Sequence, residues 1–392
     1  MRSLIVITLV TQATLAETVG LNELLESAKQ PQQIEQMIEH QFNASGFKSL
    51  ANTQTAPLTF NPSLARSQTP TRTGFEYDVS FSKEFKLGNI QKLEQTSNRL
   101  ESEATKIEQG KLLIGFSNRL KNSYHQYCLN QEYLSSFGEK YGRFSELLEK
   151  KKKAYREDEI SKIELLQIKQ EWQLLENRLH NIQEQVKDER RELLSQTFLD
   201  ERSSLSCQDI YPLRTEFVDE KSAFSLTQHA YNKHIESRQI ALKRYSNKLE
   251  SIEVSTGYLK EFERDAYTIS VSIPLNFSSR KSEYERAALM EETAALSSQN
   301  EETLMQKKYA REQLKAKLKR LYQSVKGYES NIQSFKESLL PLVYKSYTYG
   351  ESSVVEYLLA QQQLSDKEAL VLEKKREYYQ TLFTLYNISE KR

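Results

Sequence analysis

With 11 Gly and 7 Pro in 392 residues, 28% charged and 38% hydrophobic, this chain suits long helices with narrow apolar stripes better than globules with thick cores. Its 55 basic and 54 acidic residues are spread along the whole length, so no domain-sized basic face exists and nucleic acid is excluded as a partner class. The run Lys150–Lys153 reads as solvated helix surface, not as a polyanion site.

Residues 1–16 have the form of an export signal: Arg2, an apolar run from Leu4 to Val10, and the small-residue cleavage site Ala13-Thr-Leu-Ala16. The mature chain is expected to start near Glu17. No Cys follows that site, which argues against a lipid anchor there. No later apolar stretch approaches the roughly 20 residues of a membrane-crossing helix.

Everything beyond the signal is organised by an internal repeat. Tyr155, Glu159, Ser161, Ile163, Glu164, Leu166 and Gln170 match Tyr347, Glu351, Ser353, Val355, Glu356, Leu358 and Gln362 at an offset of 347 − 155 = 192. The same offset relates Phe75, Val79, Ser80 and Phe85 to Tyr267, Val271, Ser272 and Phe277. The first repeat spans 17–197, a linker 198–223, and the second repeat 224–392. Each is expected to run helix, strand, strand, long helix, shorter helix.

In chain order, the first helix is expected over Leu21–Ala44. The Thr/Pro/Ser-rich segment 52–73 follows as a longer loop, with a weakly marked first strand within Pro57–Leu64. The second strand is read from alternation: Phe75, Tyr77, Val79 and Phe81 are separated by Glu76, Asp78 and Ser80. A long helix over Asn89–Lys152, about 95 Å at 1.5 Å per residue, turns back into a helix over Ile160–Thr197 of about 57 Å. That return helix carries Ile168, Trp172, Leu175, Leu179, Ile182 and Val186 at the 3.5-residue period of a coiled-coil seam. The second repeat follows with a helix over Phe224–Glu250 and a third strand at Ile252, Val254 and Tyr258. A loop at Lys260–Asp265 leads to the fourth strand, where Tyr267, Ile269, Val271, Ile273 and Leu275 alternate with small or polar residues. Helices over Ser279–Val343 and Ser352–Ser389 close the chain. In each repeat the two shorter helices, end to end, match the long one, which suits a cylinder wall of even height with the linker at mid-height.

Four amphipathic strands cannot close a barrel alone, because open edges in lipid leave backbone groups unsatisfied. Three chains would supply twelve strands, an even number within the range of outer-membrane barrels. The apolar stripe Phe75, Tyr77, Val79, Phe81, Ile269, Val271 and Ile273 would then face lipid.

At this point the chain resembles the TolC-like outer-membrane efflux proteins. The segment Tyr349-Gly350-Glu-Ser-Ser-Val-Val-Glu-Tyr-Leu358-Leu359-Ala360-Gln361 is similar to that family's second helical tip and return helix. The strand-to-helix joints Phe81-Ser-Lys-Glu-Phe-Lys-Leu87-Gly88-Asn89 and Ile273-Pro274-Leu275-Asn-Phe277 resemble its heavy-metal, cobalt-zinc-cadmium type branch. The first joint departs by having Gly88-Asn89 where that branch often has two glycines. The first tip has Asp158 where the second has Gly350, a mild departure, since Asp tolerates a left-handed turn.

The resemblance implies a homotrimer in outer-membrane lipid: a 12-stranded β-barrel continued by a long periplasmic α-helical barrel, with most of the mass in the periplasm. It implies docking on a periplasmic adaptor and on an inner-membrane pump of the RND type. It places the closed end and the adaptor contact at Tyr155, Glu157, Asp158, Glu159, Ser161, Tyr347, Gly350, Glu351 and Ser353. Glu157, Asp158 and Glu159, tripled by symmetry, would form a carboxylate ring favouring cations, or are a polar helix start favoured by the dipole.

No phosphate loop, Gly-x-Ser-x-Gly or His-Glu-x-x-His occurs, so no enzyme, cofactor or metal site is expected. His125 and Cys128 lie three apart on one helix face, but four ligands are needed for a structural metal and no second pair is visible. His229 and His234 read as ordinary helix positions. Rival readings are a periplasmic adaptor-type coiled-coil protein, which would leave the duplication and strand pairs unexplained, a soluble coiled-coil tether, and an envelope hydrolase. Cys128 and Cys207 stand in a chain addressed to an oxidising compartment. Counting back from the tip places Cys128 near the level of the linker that carries Cys207. Two readings stand: a disulfide tying the linker to the wall, or two unpaired buried thiols.

Overall fold

The computed structural model describes residues 18–68, 73–217, 223–246, 249–261, 264–274 and 280–391. The signal segment and the joint residues Leu275 and Phe277 lie outside them. The chain is mainly helical with a small sheet part. In order the elements are β1 (Thr18–Val19), α1 (Leu21–Glu26), α2 (Lys29–Thr53), β2 (Thr59–Gln68), β3 (Thr73–Lys86), α3 (Ile90–Arg156), α4 (Lys162–Ser195) and β4 (Ser204–Leu205). There follow α5 (Ser225–Arg244), β5 (Ser251–Lys260), β6 (Asp265–Ser272), α6 (Lys281–Ser334), a π turn (Phe335–Leu339), α7 (Leu340–Thr348) and α8 (Val354–Ile388).

Equivalent elements start at a constant spacing: β2 and β5, β3 and β6, and α4 and α8 each begin 192 residues apart. The segment 52–73, expected as the longer loop that holds the extra residues of the first repeat, therefore holds no surplus. It holds β2 instead, which runs to Gln68, beyond the expected strand limit at Leu64. The surplus lies in helix: α1 and α2 reach from Leu21 to Thr53, past the expected end at Ala44, whereas α5 stops at Arg244 instead of Glu250. Composition misleads here because Thr, Ser and Asn on β2 alternate with Phe60, Pro62 and Leu64, and ladder pairing with β3 decides the conformation. The second long helix also departs from expectation. It passes through the π turn and Pro341 and ends at Thr348 rather than Val343, while α3 runs unbroken to Arg156.

The chain forms two compact units that cut across the sequence halves. One comprises residues 1–34, 113–223 and 309–392, and the other 35–112 and 224–308. In the second unit the sheet order is β2-β3-β5-β6, all antiparallel. Helices α3 and α5 are joined there by a part-buried Ser97–Ser237 contact of 3.0 Å, and by His234, which sits between Glu101 at 3.1 Å and Glu108 at 3.8 Å.

In the first unit, Ile168, Leu175 and Val186 of the predicted seam are buried, and Trp172 donates its indole N–H to Ser145 at 2.9 Å. The end of α4 meets the start of α2: Lys29 N–H donates to Gln196 O and Phe198 N–H to Ser27 O, both at 2.9 Å. The linker is an ordered strap in this unit. Its β4 pairs in parallel with β1, and its Asp209 carboxylate accepts the Leu21 N–H at 2.9 Å.

Candidate functional site

Both helix tips are built by the same backbone device. At the first, Glu159 N–H reaches back to Ala154 O at 2.9 Å and Asp158 N–H to Tyr155 O at 3.2 Å, with Asp158 at φ 59°. At the second, Glu351 N–H reaches Ser346 O at 2.9 Å and Gly350 N–H reaches Tyr347 O at 3.1 Å, with Gly350 at φ 74°. This is the Schellman closure, in which a left-handed residue lets two amides satisfy the last helical carbonyls. The return helices are then capped by Ser161 and Ser353, whose hydroxyls accept from Glu164 N–H at 3.1 Å and Glu356 N–H at 3.3 Å.

From there the tips diverge. Glu356 closes a capping box by accepting the Ser353 N–H at 2.9 Å. Its equivalent, Glu164, turns to the other tip: its Oε1 accepts the Tyr347 hydroxyl at 2.7 Å and the Lys151 ammonium at 3.1 Å. Lys151 also sits over the Tyr347 ring at 4.4 Å, and that ring stacks on Tyr357 at 5.3 Å. Burial, and then the bond to Glu164, pushes the Tyr347 hydroxyl far above the usual tyrosine range, so it stays a donor. Tyr155, the equivalent of Tyr347, is 37% exposed where Tyr347 is 7%. Glu157, Asp158, Glu159, Gly350, Glu351 and Ser353 are all exposed at the turns. The residues that join the tips, Lys151 and Glu164, were outside the sequence-predicted gate set. Glu164 was visible only as a repeat match.

The strap fastens α3 and α8 by other means. Cys128 and Cys207 form a disulfide with a Cα–Cα distance of 5.4 Å. Tyr124 donates its hydroxyl to Ser206 O at 2.5 Å, and Tyr379 donates to Tyr211 O at 2.5 Å. The Tyr378 hydroxyl accepts the Arg214 N–H at 2.8 Å and donates to Arg214 O at 3.0 Å. His125 is fully buried; its Nδ1 lies 2.7 Å from Lys121 O and its Nε2 accepts the Tyr211 N–H at 2.9 Å. Burial holds its pKa down at about 4, so the ring is a neutral peg. Both ring nitrogens and the Cys128 sulfur thus have partners within the chain. Among the described residues no group of three or more His, Cys, Asp or Glu is placed to hold a metal ion.

The sheet has two distinct faces. Register puts Phe60 opposite Phe81, Leu64 opposite Tyr77, Val79 opposite Tyr258, Tyr258 opposite Tyr267 and Val254 opposite Val271. The alternate face pairs Asn61 with Ser80, Ser80 with Gly257, and Ser255 with Ser270, whose hydroxyls are 2.6 Å apart. Among the described residues nothing covers the apolar face: Phe75, Tyr77, Phe81, Ile269, Val271 and Ile273 are exposed, Ile269 at 80%, and Val79 is half-buried. A Cβ on Gly257 would lie 3.0 Å from Ser80 Cβ, 3.1 Å from Thr268 Oγ1 and 3.2 Å from Val79 O, so the polar face is tightly packed there.

The chain thus combines a sheet with an uncovered apolar face and paired helical hairpins with Schellman tips. No family model and no curated protein matches the chain. Solved structures do. The chain is similar to the transmembrane channel CusC (TM-score 0.74, 13% identity, covering 95% of this chain and 91% of that one). It is similar to the outer-membrane protein VceC of Vibrio cholerae (0.71, 14%, 95% and 96%) and to the outer-membrane channel CmeC of Campylobacter jejuni (0.72, 11%, 94% and 85%). At such identities what is shared is the fold.

Proposed function

We propose that the chain is the outer-membrane channel of a tripartite efflux system, passing substrate outward passively from an inner-membrane pump and a periplasmic adaptor. The observation that carries this reading is the four-stranded sheet. One face is apolar and uncovered and the other polar, which suits strands with lipid on one side and water on the other. Strands β2 and β6 each pair on one side only within the chain, so closure calls for further copies. Three copies give a 12-stranded barrel, with residues 17–197 and 224–392 as the two repeats of each protomer and 198–223 as the strap. The protein acts in the outer membrane as a duct without catalytic residues. The tip residues Tyr155, Glu157, Asp158, Glu159, Ser161, Tyr347, Gly350, Glu351 and Ser353 form its closed end and adaptor contact. Membership of the heavy-metal branch rests on the strand-to-helix joints.

The test is fractionation and conductance. The full-length protein is expected in the outer-membrane fraction as a heat-modifiable trimer, and purified trimer is expected to conduct in planar bilayers. A periplasmic, monomeric, non-conducting protein would sink the reading. Cys pairs across neighbouring tips should lock efflux on oxidation and release it on reduction; demonstrated crosslinks with unchanged efflux would move the gate elsewhere.

A further inference from the structure

The register of the sheet sorts its charges by face. Glu76, Asp78, Glu84 and Glu253 lie on the polar face, as does Lys86, which is bound to Glu94 at 2.6 Å. Arg66, Lys83 and Lys260 lie on the apolar face, opposite Phe75, Val254 and Tyr77 respectively. A cation on a lipid face is costly at mid-bilayer and tolerated where it reaches the headgroups. The positions obey that rule. Lys83 stands at the helix end of β3, its ammonium 5.7 Å from the Phe85 ring. Arg66 and Lys260 stand at the hairpin end, and the apolar band between the two ends is about 20–27 Å long at 3.4 Å per residue.

The two cations at the hairpin end form a pair of defined span. Strand β3 lies between the strands that carry them, and their partners Phe75 and Tyr77 are one alternation apart, so their Cα atoms stand about 12 Å from each other. Both side chains are exposed, and among the described residues neither makes an ion pair or a hydrogen bond. The carboxylates nearby are engaged elsewhere. Asp265, opposite Lys260 in register, accepts the Tyr258 hydroxyl, and Glu261 binds Arg264 at 2.7 Å. Beside the pair runs a row of rings, with Tyr77 6.1 Å from Tyr258 and Tyr258 5.2 Å from Tyr267. Such amphipathic rings suit the level where acyl chains give way to headgroups.

We propose that Arg66 and Lys260 clamp one phosphorylated glycolipid headgroup of the outer leaflet, each meeting one of its two phosphates. The inference rests on the outer-membrane channel reading and names a lipid partner for its barrel. A disaccharide with a phosphate at each end has a span of this size, and its sugar faces would lie over Phe75 and Tyr77 between the cations. One phospholipid meets either cation but not both.

The test titrates the purified full-length trimer in detergent with a deep-rough lipopolysaccharide that carries both phosphates, bound lipid being read by native mass spectrometry. Parallel titrations with its monophosphoryl form, with phosphatidylglycerol and with inorganic phosphate separate the sources of phosphate. Wild type is expected to bind the bisphosphorylated glycolipid about tenfold or more tightly than either lipid with one phosphate. Arg66→Gln combined with Lys260→Gln should lose that preference. Arg66→Lys combined with Lys260→Arg keeps both charges and should retain it, and Lys83→Gln, at the other end of the same face, should leave it unchanged. The wild-type comparison among the lipids decides the matter even where the double glutamine variant fails to assemble. Equal affinity for a lipid with one phosphate, displacement of the glycolipid by equimolar inorganic phosphate, or a full preference in the double glutamine variant overturns the proposal. Absence of the wild-type chain from the outer-membrane fraction would instead overturn the channel reading, and the clamp with it, so the two failures are separable.

Discussion

The strap and the tips join the same two hairpins in opposite ways. At the strap a disulfide, five tyrosine or histidine hydrogen bonds to backbone and a core of buried aromatic rings hold α3 and α8 together. Towards the tips an apolar cluster that includes Phe144, Leu148, Ile168, Tyr347, Val354 and Tyr357 is topped by one carboxylate shared by a lysine and a tyrosine, with Lys151 and Glu164 side chains 21% and 22% exposed. Covalent and buried bonds resist change, while a partly solvated polar link can be exchanged at little cost for water or another partner. The difference teaches that one joint of the two hairpins is fixed covalently and the other can exchange its polar partners.

Breaking the strap should have the largest effect. Replacing Cys128 and Cys207 by Ser removes a link across 79 residues, and the entropy of that loop puts the loss at about 4 kcal/mol. Urea unfolding of the double variant beside the oxidised wild type measures it, and wild type under reducing conditions should match the variant. A loss below about 1 kcal/mol would show that the hydrogen bonds alone hold the strap.

The buried histidine gives the next effect, and its sign follows from its environment. His125 has a folded pKa of about 4, below the unfolded value near 6.5. Above about pH 6.5 both states are neutral and the peg costs nothing. As pH falls from there towards 4, the unfolded state takes up a proton that the folded state refuses, so stability declines by about 3 kcal/mol. His125→Phe should be less stable at neutral pH, having lost the Tyr211 bond, and should lack this decline over the same window. An equal slope in both proteins would assign acid sensitivity to other groups.

A smaller effect is expected at the tip link. Tyr347→Phe removes a hydrogen bond to a charged acceptor, about 1–2 kcal/mol, and leaves Lys151 to hold Glu164 alone. The global unfolding midpoint should move little, while the conductance of the purified channel rises. A variant that unfolds early without conducting better would make Tyr347 a core residue and not a latch.

These contrasts were unequally legible in the sequence. Period two exposed β3 and β6 because one face had to be uniformly apolar, and period 3.5 exposed the α4 seam because a helix pair must bury a stripe. The reach of α2 past Gly46 was hidden, since its polar last turns carry no period. The register of β2 was equally hidden, since only β3 supplies it. The Glu164–Tyr347 link spans 183 residues and breaks the repeat's own symmetry, so matching Glu164 to Glu356 pointed to the position but not to its use.

The smallest expected effect tests whether the two turns are equivalent as backbone even though their side-chain links differ. Gly350 sits at φ 74°, and a Cβ added there would meet nothing within 4 Å, so any cost of Gly350→Ala is conformational and not steric. A left-handed residue with a Cβ costs about 1 kcal/mol or somewhat more, and Asp costs less because its short side chain bonds locally. Gly350→Ala should therefore lower stability by about 1 kcal/mol and Gly350→Asp by less. Asp158→Gly, at φ 59°, should be close to neutral, trading strain relief against the greater freedom of glycine in the unfolded chain. Chemical unfolding of the three variants on one background gives the ranking. If Gly350→Ala cost more than about 2 kcal/mol, with Asp158→Gly still neutral, a contact made only in the assembled channel would have to hold the second turn, and the tips would differ in backbone as well as in their side-chain link.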